Sequence, residues 1–202
     1  MSPMKYKKCK RKFALSIAAI AVLSGWGPLA NAQRQVTAPP VLQLLRGNIY
    51  WAQGGAVGAN TAYIIGDNGV IAFDVFEFNN TVRDVQEELA KITPKPVTHV
   101  IFSHTNPDHI KGIFGYPRGL TIICQENTAA KIESIFHYMR DGERVHFQPT
   151  HVVDNRSDLT IHGVNITLLH WAPAHTNGDL VAYFPDQKVA LIGDLSGGAS
   201  VQ

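Results

Sequence analysis

A cluster of side chains able to bind a metal ion follows the apolar run 97–102. His104, Asp108 and His109 lie within six residues of one another. Imidazole nitrogens and carboxylate oxygens are borderline ligands that suit zinc or iron. Pro107 and the polar residues beside it favour a tight turn, which can direct several side chains to one point. The segment predicts a metal-binding turn, and the alternative is a polar loop that is merely rich in histidine.

Two further potential ligands follow later in the chain, each beside a predicted strand. His175 lies in the segment Pro173-Ala174-His175-Thr176, and Asp194 lies in Ile192-Gly193-Asp194-Leu195. Each of them alone is weak evidence for a site. Together with the turn at 104–109 they form an ordered set of histidines and aspartates.

Hydrophobic periodicity predicts strands and helices that alternate along the chain. The predicted elements are strands 41–45, 49–53, 61–65 and 70–73, helix 81–92, strands 97–102 and 120–124, helix 126–139, a hairpin over 158–170 that turns at His162-Gly163, and a strand pair 180–184 with 189–192. Asn79 or Asn80 is the expected cap of the first helix. This order predicts an α/β fold, an αββα sandwich, with the histidine-rich turn at the carboxyl end of a buried strand, where ligands gather in such folds.

The first 32 residues have the pattern of a secretory signal peptide. A basic start precedes the apolar run 13–23, and Ala30-Asn31-Ala32 is a small-residue cleavage pattern. A membrane anchor is the alternative, but the apolar run is shorter than the ~20 residues that a span needs. We therefore expect export to the periplasm or the medium, cleavage after residue 32, one domain over 33–202, and no stable membrane anchor afterwards.

Removal of residues 1–32 changes the charge balance of the chain. The segment holds six of the 18 basic residues and none of the 16 acidic ones, so the remainder has 18 − 6 = 12 basic residues and a net charge of 12 − 16 = −4. An acidic chain does not favour binding to a nucleic-acid backbone, so we expect no nucleic-acid partner. Cys124 would then be the only cysteine, and its apolar neighbours predict a buried, inert thiol.

The ordered set of ligands resembles the metallo-β-lactamase superfamily, whose signature is HxHxDH, a later His before a strand hairpin, and an Asp after Gly. The resemblance runs from about Leu45 to the last residue and implies the αββα sandwich and one or two Zn²⁺ ions, with iron as the alternative metal. It implies that His104, residue 106 and His175 belong to a first metal subsite, and that Asp108, His109 and a bridging Asp194 belong to a second. It also implies that Asp108 orients the nucleophile or carries a proton to the leaving group, and that Asp74 makes supporting hydrogen bonds.

The sequence departs from the family pattern at two points. Asn106 stands where the second histidine of HxHxDH is expected, and its amide oxygen is a poorer zinc ligand than imidazole. The family also supplies a further histidine beyond the Gly-Asp hairpin, whereas this chain ends eight residues after Asp194. We therefore expect a weakened first subsite and a fold that lacks its C-terminal part.

The resemblance implies an exported metal-dependent hydrolase that acts on a small molecule. The candidate substrates are an amide, an ester, a thioester or a phosphoester, with a β-lactam as one possibility among them. Two alternatives remain open at this point. One is a non-catalytic binding protein that has lost part of its metal site, and the other is an iron-dependent oxidoreductase on the same fold.

Overall fold

The computed structural model describes residues 40–54, 59–136 and 147–196 of the chain. The predicted signal peptide, residues 1–32, lies outside these ranges, as do His137 and His146. Within the described ranges, no helix is both long enough and apolar enough to span a membrane.

The larger of two β-sheets contains the first seven strands, in the same order as in the sequence. These strands are β1 (Gln43–Arg46), β2 (Ile49–Gln53), β3 (Asn60–Ile65), β4 (Val70–Phe73), β5 (Val97–Ile101), β6 (Thr121–Gln125) and β7 (His151–Val153). Pairing is antiparallel from β1 to β4 and parallel from β4 to β7. β4 is apolar throughout because the sheet is covered on both faces. Strand β7 was not among the predicted elements.

The smaller sheet contains four antiparallel strands in the order β11-β10-β9-β8. They are β8 (Arg156–Ile161), β9 (Val164–His170), β10 (Leu180–Phe184) and β11 (Val189–Leu191). The hairpin between β8 and β9 turns at His162-Gly163, as predicted, and both residues have positive φ, +52° and +77°. Two successive residues of this kind are typical of the tight turn that suits the twist of paired strands.

In the described part of the chain, three α-helices connect these strands, namely α1 (Asn79–Ile92), α2 (Pro107–Ile110) and α3 (Glu126–Ile135). The expectation that Asn79 or Asn80 caps α1 is wrong. The chain enters α1 from an extended Phe78, whose carbonyl accepts from Val82 N, and no side chain caps this end. The last part of the second predicted helix, 137–139, lies outside the described residues.

Two apolar clusters give the fold its layers. One cluster lies between the larger sheet and the helices and includes Val82, Val85 and Leu89 of α1. The other lies between the two sheets, where Ile71 and Ile101 share a cluster with residues of β9 and β10. The described residues therefore form helix, sheet and sheet layers of the predicted sandwich, with the parallel strand ends at one edge.

Cys124 lies on β6, fully buried in the cluster under the helices, and the structure records it as a free cysteine. Burial raises the pKa of its thiol to about 12 because the thiolate is poorly solvated there. The prediction of a buried thiol is confirmed.

Burial keeps the Cys124 thiol protonated at pH 8, and the thiolate is the form that reacts. We predict that a thiol reagent leaves Cys124 unmodified in the folded protein and reacts fully in denaturant. Mass spectrometry of a Cys9→Ser variant, in which Cys124 is the only remaining thiol, measures this. Rapid labelling of the folded variant would contradict it.

Candidate metal centre

The structure brings all six sequence-predicted site residues to one edge of the sandwich. His104 follows the carboxyl end of β5, and Asn106 is the residue from which α2 begins. Pro107 occupies the first turn of α2, where its missing N–H costs nothing, so the chain turns sharply and presents Asp108 and His109. His175 lies in the loop before β10, and Asp194 lies in the 3₁₀ turn Gly193–Ser196 after β11. Both sheets therefore contribute to this edge.

The Asp194 carboxylate lies at the centre of the group. Its Oδ1 is 3.3 Å from His109 Nε2, and its Oδ2 is 3.6 Å from His175 Nε2 and 3.9 Å from His104 Nε2. One oxygen thus faces each of the two subsites that the sequence predicts. Asp108 Oδ2 lies 3.8 Å from His109 Nε2, on the same side as Asp194 Oδ1. This arrangement suits a carboxylate that bridges two cations.

The histidine nitrogens provide a test of whether the residues fit a metal. His104 Nε2 and His109 Nε2 are buried and have no hydrogen-bond partner among the described residues. A buried polar atom without a partner is costly and rare in native structures. With one oxygen of Asp194 these two nitrogens lie within 4.8 Å of one another. Two nitrogens and a carboxylate oxygen that converge in this way fit a divalent ion such as zinc.

A hydrogen-bond chain fixes both imidazole rings from behind. Asp74 Oδ2 accepts from His109 Nδ1 at 2.8 Å and from the Ser103 hydroxyl at 2.7 Å. Because the hydroxyl proton goes to Asp74, Ser103 Oγ accepts from His104 Nδ1 at 2.8 Å. Both rings carry a proton on Nδ1 in this network, so Nε2 is the nitrogen that each ring can offer to a metal when that nitrogen carries no proton.

The pKa values of the two imidazole rings are shifted in opposite directions. Burial lowers the pKa of His104, and the neighbouring His109 lowers it further, so His104 is neutral. Burial also acts to lower the pKa of His109, but Asp74, Asp194 and Asp108 outweigh it and raise that pKa to about 9. His104 and Asp194, 3.9 Å apart, therefore do not form an ion pair. The carboxylates instead favour the protonated form of His109.

Asp74 is itself held in an uncommon backbone conformation. Its φ is +59°, a value that few residues other than glycine adopt. Its N–H donates to Ile101 O at 2.9 Å, and its carbonyl accepts from Thr61 Oγ1. Ser103 N also donates to Asp74 Oδ1 at 2.8 Å. Strands β3 and β5 thus aim the Asp74 carboxylate at the two rings, as expected for a residue that makes supporting hydrogen bonds.

Asn106 and His175 form a more exposed pair. Asn106 Nδ2 lies 3.0 Å from His175 Nε2, so the amide presents its NH₂ group to the imidazole. The amide must rotate before its oxygen can face a metal beside His175. The side chain of His175 is 34% exposed, whereas that of His104 is fully buried.

Glycine is required immediately before Asp194. Gly193 has a φ of +55°, and a Cβ there would lie 2.7 Å from both Cβ and Oγ of Ser103. Any side chain at this position would push Asp194 away from the histidines. The Gly-Asp order in the sequence thus has a steric cause.

Ser103 is a site residue that the sequence analysis did not single out. It follows β5 directly and joins Asp74 to His104, yet a serine at a strand end carries no distinctive pattern. The one available signal was its position immediately before the first histidine. Of the other histidines, His99 and His162 stack edge to face 5.1 Å apart and His151 lies half-buried on β7, none of them within the metal-binding group.

Fold and site together define a sandwich of the metallo-hydrolase type with a candidate metal-binding group at one edge. The family described as the metallo-beta-lactamase superfamily matches residues 54–201. This chain belongs to that superfamily. The fold class that the sequence predicted is thereby confirmed.

Two relatives are similar in sequence. One is 2,4-dinitroanisole O-demethylase subunit alpha of Nocardioides sp. (strain JS1661), 29% identical over 175 residues, with 85% of this chain and 50% of the relative covered. The other is the linear primary-alkylsulfatase of Pseudomonas sp. (strain ATCC 19151), 22% identical, with 66% of this chain and 32% of the relative covered. The chain thus spans half or less of the length of each.

A solved metallo-beta-lactamase from Pontibacter korlensis has a similar fold. Its TM-score is 0.61 and its sequence identity 16%, with 75% of this chain and 69% of that structure covered. At this identity the likeness concerns the fold alone.

We predict that Asp74→Asn lowers the affinity for Zn²⁺ about 10- to 100-fold, the range typical for residues that support metal ligands. Asp74 accepts from Ser103 N with Oδ1 and from the Ser103 hydroxyl and His109 Nδ1 with Oδ2, whereas an amide has only one acceptor oxygen. If that oxygen accepts from Ser103 N, the NH₂ group faces His109, whose ring would then carry its proton on Nε2 and lose its free electron pair there. Zinc titration by calorimetry measures the change. Asp158→Asn, on the exposed edge of β8, is the matched control and should bind as the wild type does. Equal affinity in all three proteins would contradict the role of Asp74.

Proposed function

We propose that this chain is a metal-dependent hydrolase that acts on a small organic molecule with an ester-like or amide bond. The observation that carries the proposal is the pair of buried, unpartnered Nε2 atoms of His104 and His109, which converge with Asp194. A bound cation would give both nitrogens the partner that a buried polar atom needs. Superfamily membership supports hydrolysis as the reaction class.

The residues divide into two sets around Asp194. His104 and His175, with Asn106 beside them, would hold one divalent cation, and His109 with Asp108 would hold the other. A bound divalent cation supplies Lewis acidity, which polarises a substrate oxygen and acidifies water. Zinc suits this set of nitrogen and carboxylate ligands, and iron is the alternative.

Asp108 is the residue we assign to proton transfer. Its side chain is 38% exposed, so water and substrate can reach it, and it lies 3.8 Å from His109 Nε2. A carboxylate at this position can orient a nucleophilic water and pass its proton to the leaving group.

The substrate class is broader than the sequence alone implied. An amide, an ester, a thioester, a phosphoester and a β-lactam all present an electrophilic centre with an oxygen that a cation can polarise. The names of the two relatives add alkyl sulfates and an aryl methyl ether. We propose that the substrate belongs to this set of small, cleavable molecules.

We also propose that the protein is exported and that residues 1–32 are removed. The basic start, the apolar run and Ala30-Asn31-Ala32 support this proposal. Mass analysis of the protein from a secreted or periplasmic fraction should find residue 33 as the first residue. Met1 retained on a membrane-bound form would overturn it.

A second candidate, a non-catalytic metal-dependent binding protein, is favoured by one observation. Asn106 turns its NH₂ group towards His175, so the first subsite has two strong protein ligands beside Asp194 rather than three. Such a site fills only at high metal concentration.

We predict that Asp194→Ala removes most bound metal and lowers hydrolysis more than about 100-fold, because the bridging carboxylate serves both cations. The full chain would be loaded with Zn²⁺, its metal content determined by elemental analysis, and its turnover followed on chromogenic ester, thioester, phosphoester, sulfate ester and β-lactam substrates. Asp186→Ala, in the turn between β10 and β11, is the control.

Asn106→His is expected to add a tightly bound second ion.

The outcomes separate the candidates. Hydrolysis that depends on zinc and on Asp194 supports the hydrolase. Tight metal binding with no turnover of any substrate favours the binding protein. Preferential retention of iron, with electron transfer and no hydrolysis, favours the oxidoreductase. Metal content that Asp194→Ala leaves unchanged would overturn the ligand assignment.

A further inference from the structure

We infer that Asp179 is a positioning residue that fixes His175 against Asp194. The inference rests on the proposed metal site. His104 and His109 are each held by a hydrogen bond to Nδ1, but within the described residues no such bond is recorded for Nδ1 of His175. The position of the His175 ring therefore depends on the backbone of its loop. Asp179 is the residue that shapes this loop.

Both carboxylate oxygens of Asp179 bind the residue next to His175. Oδ2 accepts from Thr176 N at 2.6 Å, and Oδ1 accepts from Thr176 Oγ1 at 2.9 Å. The same hydroxyl oxygen accepts from Gly178 N at 3.1 Å. Asp179 is 3% exposed, so these bonds are shielded from water and set the course of the chain directly after His175.

The backbone carbonyl of Asp179 closes the other end of the loop. It accepts from Trp171 N at 3.1 Å and from His170 Nδ1 at 2.9 Å. The loop between residues 170 and 179 is therefore joined at its base and near its tip by one residue. The carboxylate is the part of Asp179 that binds the chain next to His175.

The next residue ties this loop to the histidine-rich turn. Leu180 N donates to Ser103 O at 2.8 Å, and Ser103 immediately precedes His104. Asp179 thus lies between the strand that carries His104 and the loop that carries His175. A shift of its side chain alters the distance between ligands from the two sheets.

Helix α3 holds the outer side of the loop. Asn127 Nδ2 donates to Asn177 O at 2.7 Å, and Thr128 Oγ1 donates to Gly178 O at 3.0 Å. A Cβ on Gly178 would lie 2.5 Å from Thr128 Oγ1, so the loop and helix are in close contact. These contacts hold residues 177 and 178. The backbone at His175 is held by the bond from Ala174 N to Thr176 O at 3.2 Å and by the bonds of Asp179 to Thr176.

Asp179→Ala should weaken the subsite of His104 and His175 about 10- to 100-fold for metal, as for other residues that orient ligands. The subsite of His109 and Asp108 should keep its affinity. Titration of the metal-free full chain with Co²⁺, followed by absorption, separates the two binding steps, and His175→Ala marks which step belongs to the first subsite. Loss of both subsites together, or of neither, would overturn the inference.

Conservative variants distinguish positioning from general stability. Asp179→Asn keeps an acceptor for Thr176 N and a partner for its hydroxyl, so it should bind as the wild type does. Thr176→Val should reproduce the defect and Thr176→Ser should not. If Asp179→Ala does not fold, the Thr176 pair decides, and equal binding by Thr176→Val and Thr176→Ser would count against the inference.

A measurement without metal separates this inference from the proposed function. The contact of His175 Nε2 with Asn106 Nδ2 makes the side-chain NH₂ resonances of Asn106 a sensor of the ring. Asp179→Ala should shift them as His175→Ala does, and Asp179→Asn should not. This result stands even if no metal binds or no substrate is hydrolysed, whereas unchanged resonances in Asp179→Ala would overturn the inference.

Discussion

Two imidazole rings buried side by side are the constraint on which the rest of the structure depends. The centroids of His104 and His109 lie 4.1 Å apart, and each ring has one nitrogen with a hydrogen-bond partner and one without. Burial on this scale is unfavourable for polar atoms unless a network fixes them. Asp74 and Ser103 provide that network on the side of the rings away from Asp194. Their placement requires the amino end of β3 and the carboxyl ends of β4 and β5 to lie side by side in one sheet. The larger sheet therefore positions these two rings as well as contributing to the hydrophobic core.

The exposure of the side chains increases from the buried side of the candidate metal centre to its open side. The side chains of His104 and His109 are 0% and 3% exposed, while those of His175 and Asp194 are 34% and 41% exposed. The two buried histidines follow β5 of the larger sheet, whereas the exposed His175 and Asp194 lie on loops of the smaller sheet. Rigid ligands held on a sheet can define where a cation sits, while ligands on loops can tolerate the approach of a substrate. Asn106 contacts His175 on this open side, where the side chains have fewer supporting hydrogen bonds.

At the edge with the candidate ligands, Gly193 and the backbone hydrogen bond of Leu180 N to Ser103 O allow the two sheets to approach closely. Gly193 lets the Asp194 turn lie against Ser103, and Leu180 N binds Ser103 O, so Ser103 contacts both turns that carry ligands from the smaller sheet. A single residue at the end of β5 thus meets Asp74, His104 and the loops of the second sheet. A substitution of Ser103 would therefore alter contacts on every side of the candidate metal centre. Its position in the sequence alone does not indicate this role.

The sequence by itself determined the order of elements and the identity of the potential ligands. Apolar periodicity located β2, β4, β10 and most of α1, because burial on one or two faces is a local property of a strand or helix. The spacing of His104, Asp108 and His109 indicated a metal, because ligands on one turn are close in space whatever the fold. The family resemblance implied a bridging Asp194 and a supporting Asp74. Only the tertiary structure decided the distances of Asp194 from the three histidines, the hydrogen bonds by which Asp74 and Ser103 set the proton on each ring, and the turn of the Asn106 NH₂ group to His175. These depend on contacts between residues that are far apart in the chain, and no local pattern encodes the distance between the ends of two sheets.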